Sequence, residues 1–302
     1  MNAVETVLLA RNKGMVIPAF NIPYLPMMEP VTRAVTDENS VAIIQVARVE
    51  WEKFSAKSLE TVAEEYWKCE KSGHTLLGLD HVPVIDEDLE RVDYLPIVRR
   101  AIENGFQSVM IDGSRLALKA NIAATAETAD LVHAAGIACE GELGAVMGHE
   151  KGPVRPYEEI FANKLGFTDL EEAKQFACES RCDWISVAIG NIHGAVAGAA
   201  RSQRKPDARL DIGHVAALYK ATGLPLVLHG GSGIQIDYIL KGVKAGIAKI
   251  NIGTEIRQVY EKSLEGKNDT GLAREVVYAR VRELIAAMEI KNSRSLLFEG
   301  VG

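Results

Sequence analysis

The chain has 302 residues, of which 47% are hydrophobic and 25% charged, and its 34 Lys plus Arg against 41 Asp plus Glu leave a formal charge of −7. That balance excludes wholesale disorder, and the lack of a lysine-rich block argues against a nucleic-acid partner. Cys69, Cys139, Cys178 and Cys182 are too sparse for a disulfide scaffold, the opening MNAVETVLLARNKG is unlike a signal peptide, and no stretch approaches the ~18 apolar residues of a membrane helix, so a soluble cytoplasmic protein is expected.

Short apolar, β-branched runs alternate along the chain with segments whose apolar residues recur every three or four positions. A strand over Met15–Ile22 is followed by a helix over Pro26–Glu38, then a strand over Val41–Ala47 and a helix over Leu59–Ser72. Thr75–Val82, Ser108–Ile111 and Ile137–Leu143 are the next strands, separated by helices over Asp93–Asn104 and Lys119–Ala135. A helix over Asp169–Glu179 leads to a strand over Trp184–Ile189. Ile212–Thr222 precedes the strand Pro225–His229, and Ile234–Ala245 precedes the strand Ile247–Ile252. Helices over Ile256–Glu265 and Leu272–Ile290 follow, the second able to close the fold or pack on a partner subunit. The strands are near-continuous in hydrophobicity, as parallel strands covered on both faces are. Gly73, Gly105, Gly136, Gly223 and Gly246 stand where helices must stop before a strand. Eight strands alternating with helices predict an α/β protein, a (β/α)8 TIM barrel, as a single domain over residues 1–302 with a C-terminal helical extension. A doubly wound open sheet is the rival, and no G-x-G-x-x-G follows the first strand to favour it. The longest interruption, MGHEKGPVRPYEEIFANKLGF after the fifth strand, reads as an active-site loop or lid.

In such a barrel the chemistry sits where strands end. Asn21, Asp80, His81, Asp112, Glu140, Glu142, Asn191, His193, His229, Asn251 and Thr254 fall at or near those ends. Polar groups there are costly in a dry core and call for a wet or ligand-filled mouth. His81, His193 and His229 share one rim, and three imidazoles with an open fourth position suit a catalytic zinc ion. His74 and His133 lie towards the opposite end, His214 lies on a helix, and His149 lies in the lid. After the seventh strand comes HGGSG (His229–Gly233), and the eighth ends NIGT (Asn251–Thr254). Loops after strands seven and eight build phosphate sites in barrels, although a lone GGSG is also a flexible turn.

Several motifs together resemble one family. They are IPAFNI (Ile17–Ile22), LDH (Leu79–His81), MIDGS (Met110–Ser114), EGELG (Glu140–Gly144), IGNIHG (Ile189–Gly194), LVLHGGSGI (Leu226–Ile234) and NIGTEIR (Asn251–Arg257). In this order they resemble the class II, zinc-dependent fructose-bisphosphate and tagatose-bisphosphate aldolases. The resemblance implies Zn2+ on His81, His193 and His229, with Glu142 as an alternate ligand. It implies Asp80 as the acid/base at the aldehyde oxygen and Glu150 as the lid base that removes a carbon-bound proton of dihydroxyacetone phosphate. It places the substrate phosphate on Gly194, Gly230, Ser232, Asn251 and Thr254, with a monovalent cation (Na+ or K+) beside it. It also implies a small sugar phosphate as partner, no membrane, and a homo-oligomer, dimer or tetramer. Asp80 and His81 are neighbours on a strand and should point to opposite faces, so both reach one site only if the strand ends there and the chain turns.

The sequence departs from the family at definite places. Ala47 stands where a serine is common, Val196 and Ala197 replace the usual residues after His193, and the lid reads GHEKG with His149 and Lys151. The C-terminal FEGVG differs as well. The donor half of the site is retained and the acceptor half is altered. The expectation is reversible retro-aldol cleavage of a ketose phosphate other than fructose 1,6-bisphosphate, releasing dihydroxyacetone phosphate and an aldehyde, with Arg48, Arg201, Arg204 and Lys205 as candidates for a different anion. The alternatives are a metal-dependent hydrolase on the same barrel, which leaves HGGSG and NIGT unexplained, and a non-catalytic aldolase-like partner subunit.

Overall fold

The structure is a computed structural model that describes residues 1–70, 72–144, 157–191, 208–266 and 269–298. Eight parallel strands pair in sequence order and close on themselves: β1 (Ile17–Asn21), β2 (Ala42–Ala47), β3 (Thr75–Pro83), β4 (Ser108–Asp112), β5 (Ala138–Leu143), β6 (Trp184–Val187), β7 (Leu226–Leu228) and β8 (Ile247–Ile252), with β8 returning to β1. This is the expected (β/α)8 barrel. Its helices are α1 (Ala3–Asn12), α2 (Met28–Asp37), α3 (Arg48–Lys53), α4 (Leu59–Cys69), α5 (Tyr94–Glu103), α6 (Leu118–His133), α7 (Tyr157–Ala162), α8 (Leu170–Ser180), α9 (Ile212–Thr222), α10 (Ile236–Ala245), α11 (Thr254–Leu264), α12 (Thr270–Ala287) and α13 (Ser293–Phe298). Among the described residues, no helix is long and apolar enough to cross a membrane.

Two apolar clusters divide the work. One lies between the sheet and the outer helices, with Phe20, Ile44, Leu77, Val109 and Phe176 among its members. The other fills the barrel itself: Ile17, Ala19, Ile43, Leu76, Trp184 and Val227 meet Ala3, Val7 and Ala10 of α1 and Leu297 of α13. The opening segment is therefore a helix that plugs the bottom of the barrel. The sequence showed no such helix, because four buried positions in ten residues, one of them the polar Thr6, make a weak stripe.

Local chemistry sets the ends of several elements. Asp169, Asp211 and Asp269 cap α8, α9 and α12 by accepting first-turn N–H groups. At the other end of α9, Gly223 takes a left-handed φ of 68°. β6 ends at Val187, earlier than expected, because Ala188 exchanges hydrogen bonds with Thr168: its N–H donates to Thr168 Oγ1 at 2.8 Å and its carbonyl accepts from Thr168 N at 2.9 Å. α12 runs beside α2 and α11 and buries Ala273, Val277, Val281 and Ile285 against them. Its C-terminal end is tied to the barrel bottom, where Lys291 and Arg282 both pair with Glu38 and Ser293 Oγ accepts from Val41 N.

On β5 the period of two turns Glu140 and Glu142 inwards and Gly141 outwards, against α6 and α8. A Cβ at Gly141 would lie 2.8 Å from the Phe176 ring and 3.1 Å from Thr125 Cγ2, and Phe176 is fully buried. Gly141→Ala should therefore cost about 1–3 kcal/mol by overpacking. Urea unfolding measures it, and an unchanged midpoint would show that α8 yields freely.

Candidate active site

Polar side chains from around the barrel meet towards its C-terminal mouth. Asp80 on β3 is 3% exposed. Asn21 Nδ2 donates to its Oδ2 at 2.8 Å, and Asn251 Nδ2 donates to its Oδ1 at 2.9 Å. Gln45 Nε2 in turn donates to Asn21 Oδ1, and Lys249 Nζ donates to Asn251 Oδ1 at 2.7 Å. Lys249 also pairs with Glu140 Oε2 at 2.8 Å, and Trp184 Nε1 donates to the same oxygen. Glu140 Oε1 lies 2.8 Å from His229 Nε2. A continuous polar chain thus runs from β2 through β1, β3, β8 and β5 to β7.

His81 joins this chain through an irregularity in β3. The strand runs on to Pro83, one residue beyond the expected Val82, so Asp80 and His81 do not reach one site by the strand ending there. Its register with β4 shifts between Leu79 and Val82, and His81 takes a φ of 31°. A bulge of this kind re-aims a side chain, so that two consecutive residues serve one site. His81 Nδ1 lies 3.2 Å from Asp112 Oδ2 and 3.6 Å from Glu142 Oε2. The His81 and His229 rings meet edge to face, their centroids 4.6 Å apart.

The electrostatics follow from burial against partners. Burial opposes charge on His81, but Asp80, Asp112 and Glu142 outweigh it and hold its pKa at about 10. For His229 burial prevails and keeps the imidazole below its ordinary value. Burial works against the Glu140 carboxylate too, yet Lys249 and His229 bring its pKa down to about 2. An ionised Glu140 accepts the His229 Nε2 proton and leaves the Nδ1 lone pair facing Glu142 Oε2, 3.7 Å away. Glu142 itself is pushed well above the usual carboxylate range by burial, with Asp112 adding to it.

These donors suit a divalent metal. One ligand atom each from Asp80, His81 and His229 lie within 4.8 Å of one another, as do those of His81, Asp112 and Glu142. Among the described residues, the buried Glu142 Oε2 has no hydrogen-bond partner. Two imidazoles and an orphaned carboxylate oxygen are a ligand set rather than a satisfied core.

Residues 1–295 match the family model described as fructose-bisphosphate aldolase class-II. The chain belongs to that family. A 157-residue segment is 36% identical to the 6-phospho-5-dehydro-2-deoxy-D-gluconate aldolase of Shouchella clausii, covering 52% of this chain and 48% of that relative. The probable fructose-bisphosphate aldolase of Bacillus subtilis is 29% identical over 260 residues, which span 84% of this chain and 81% of that one. Among solved structures, the YdjI aldolase of Escherichia coli K12 superposes with a TM-score of 0.78 at 26% identity over 97% of this chain and 98% of that chain. Class II aldolases are lyases, so an enzyme with aldol chemistry takes precedence over the hydrolase and the non-catalytic subunit.

The aldolase brings together most of the residues singled out in its sequence. Asp80, His81, Glu142, His229 and Asn251 converge as described. Gly230 and Ser232 lie in the loop after β7 and Thr254 opens α11. The loop after β7 packs against β8: a Cβ at Gly231 would lie 2.6 Å from Ile250 and 3.4 Å from the Asn251 carbonyl. Asn251 spends its amide on Asp80 and Lys249. His193, Gly194 and Glu150 lie outside the described residues, as do His149, Lys151, Val196, Ala197, Arg201, Arg204 and Lys205. Arg48 is already committed, paired with Glu52 at 2.9 Å and Asp86 at 3.3 Å. Sequence reasoning missed Lys249 and underrated Glu140. Their signal was a lone lysine inside the buried run IAKINI, which demands a carboxylate, and Glu140 is one of the two inward-facing carboxylates of β5 and the one that pairs with it.

Proposed function

We propose that this aldolase catalyses zinc-dependent, reversible retro-aldol cleavage of a ketose phosphate other than fructose 1,6-bisphosphate, releasing dihydroxyacetone phosphate and an aldehyde. The observation that carries the reading is the meeting of His81, His229 and Asp80 at the barrel mouth. His81 and His229 would hold the zinc with His193, and Glu142 is the alternate ligand. When bound, zinc supplies Lewis-acid polarisation of the donor carbonyl. Asp80 takes the hydroxyl proton in cleavage and returns it to the aldehyde oxygen in condensation. With one amide on each oxygen, its carboxyl plane is fixed for that exchange. Glu150 removes the carbon-bound proton of dihydroxyacetone phosphate in the condensation direction. Gly194, Gly230, Ser232, Asn251 and Thr254 receive the phosphate, with a monovalent cation beside them.

The acceptor side supports a different far end. Ala47 is buried and stands in register with Asp80 without a polar group to offer. The relative with 36% identity acts on a compound whose name describes a ketone phosphate ending in a carboxylate. We propose a carboxylate there too. A missing charge-assisted contact is worth about 1.5–3 kcal/mol, roughly ten- to a hundredfold. Cleavage of 6-phospho-5-dehydro-2-deoxy-D-gluconate should accordingly exceed that of fructose 1,6-bisphosphate by about tenfold or more in kcat/KM. If fructose 1,6-bisphosphate is the best of a ketose 1-phosphate panel, at ~10⁴ M⁻¹s⁻¹ or above, the assignment of the acceptor half is wrong.

A further inference from the structure

Glu50 sits in the first turn of α3, where the chain leaves β2, and no step above uses it. It is 7% exposed, on the barrel-mouth side of Ala47. Its Oε2 accepts the Ala47 N–H at 2.8 Å and one hydrogen of the Asn21 amide at 3.4 Å. The other hydrogen of that amide goes to Asp80 Oδ2, and Gln45 Nε2 donates to the amide oxygen at 2.9 Å. Asn21 is thus read on three sides: a donor faces its oxygen, and two carboxyls face its NH2 group. Flipped, the amide would aim its oxygen at both carboxyls and its NH2 group at the Gln45 donor. A helix cap alone needs only the Ala47 contact, and such caps are ordinarily solvated; burial of the carboxyl under the strand end is a cost that capping does not explain.

We propose that Glu50 is a positioning residue: with Gln45 it locks the Asn21 amide so that its N–H holds Asp80 Oδ2, which sets the oxygen that Asp80 presents to the substrate hydroxyl. The inference rests on the acid/base role given to Asp80. Burial pushes the Glu50 carboxyl up to about 8, with the Ala47 N–H drawing it down and the Asp80 charge adding to the rise. At neutral pH it is therefore mostly protonated and acts through its carbonyl oxygen. A glutamine offers the same acceptor.

The test uses the full-length, zinc-loaded enzyme as wild type, Glu50→Ala and Glu50→Gln. Two rates are read: deuterium exchange into dihydroxyacetone phosphate, which does not call on Asp80, and cleavage of 6-phospho-5-dehydro-2-deoxy-D-gluconate, with fructose 1,6-bisphosphate as a second probe. Glu50→Ala should lower kcat for cleavage about 10- to 100-fold, the scale of a misplaced catalytic group, with KM and exchange within about threefold. Glu50→Gln should restore cleavage to within about threefold of wild type. Unchanged cleavage in Glu50→Ala overturns the proposal. Equal losses of exchange and cleavage do so as well, since a general loosening of α3 would cause them. So does a Glu50→Gln variant as poor as Glu50→Ala. A wild type that neither exchanges nor cleaves overturns the functional reading itself, and this inference with it.

Discussion

His229→Ala should give a folded chain that keeps less than about a tenth of the wild-type zinc and loses at least ~10³-fold in cleavage, because the proposed site on His81, His193 and His229 would not hold its ion on two rings. His229 is fully buried, and its Nε2 is bound to a Glu140 that retains Lys249 and Trp184 as partners. Truncation therefore removes a ligand without leaving a charge alone, and the barrel should survive. Metal analysis and a cleavage assay on the same preparation decide the matter. Full zinc with full activity would remove His229 from the site.

Lys249→Met is expected to act on stability first. Lys249 is 2% exposed and supplies the nearest cation to the buried Glu140 carboxylate. Losing one member of a buried pair leaves the other uncompensated, at a cost of about 3–5 kcal/mol. His229, held neutral by burial, offers no replacement charge. Urea unfolding should show the loss, and the double variant Lys249→Met/Glu140→Gln should recover a large part of it. A single variant as stable as wild type would mean that the Glu140 charge is satisfied elsewhere. The double variant also loosens the orientation of His229, so the proposed zinc site should lose affinity about 10- to 100-fold even where stability returns, the usual effect of removing the hydrogen-bond partner of a ligating imidazole.

The strand order and the strand ends carrying Asp80, His81 and His229 were legible because parallel strands write themselves as continuous apolar runs, and a polar residue closing such a run has few other reasons to be there. The long helix over Leu272–Ile290 was legible for its period, and α12 falls within that range save two residues at its start. What stayed hidden depends on tertiary pairing. The slip of β3 against β4 has no local signal, since LLGLDHVP reads as one uninterrupted strand. Arg48 was a candidate for an anion because one of its two partners, Asp86, lies thirty-eight residues away, and the i,i+4 pairing with Glu52 alone would leave it at the surface. Glu50 was not singled out at all, as its burial follows from the turn that α3 makes beside Asn21. The plug formed by α1 was invisible for a related reason: its stripe is short, and only the closed barrel gives it something to fill.

The slip in β3 also divides the tolerances of the site. Asp80 and His81 are joined by one peptide unit, which sets their Cα atoms 3.8 Å apart whatever the rest of the molecule does. His81 and His229, by contrast, are related through the girth of the barrel, across strands β3 to β7. Heating, or repacking of the interior layer around Trp184, dilates that girth and moves ring from ring, while the acid keeps its place beside the first imidazole. On the proposed roles, ion retention should thus be the first property to drift as the scaffold is loosened, and proton handling the last. Variants selected for a wider mouth should lose metal long before they lose the alignment of Asp80.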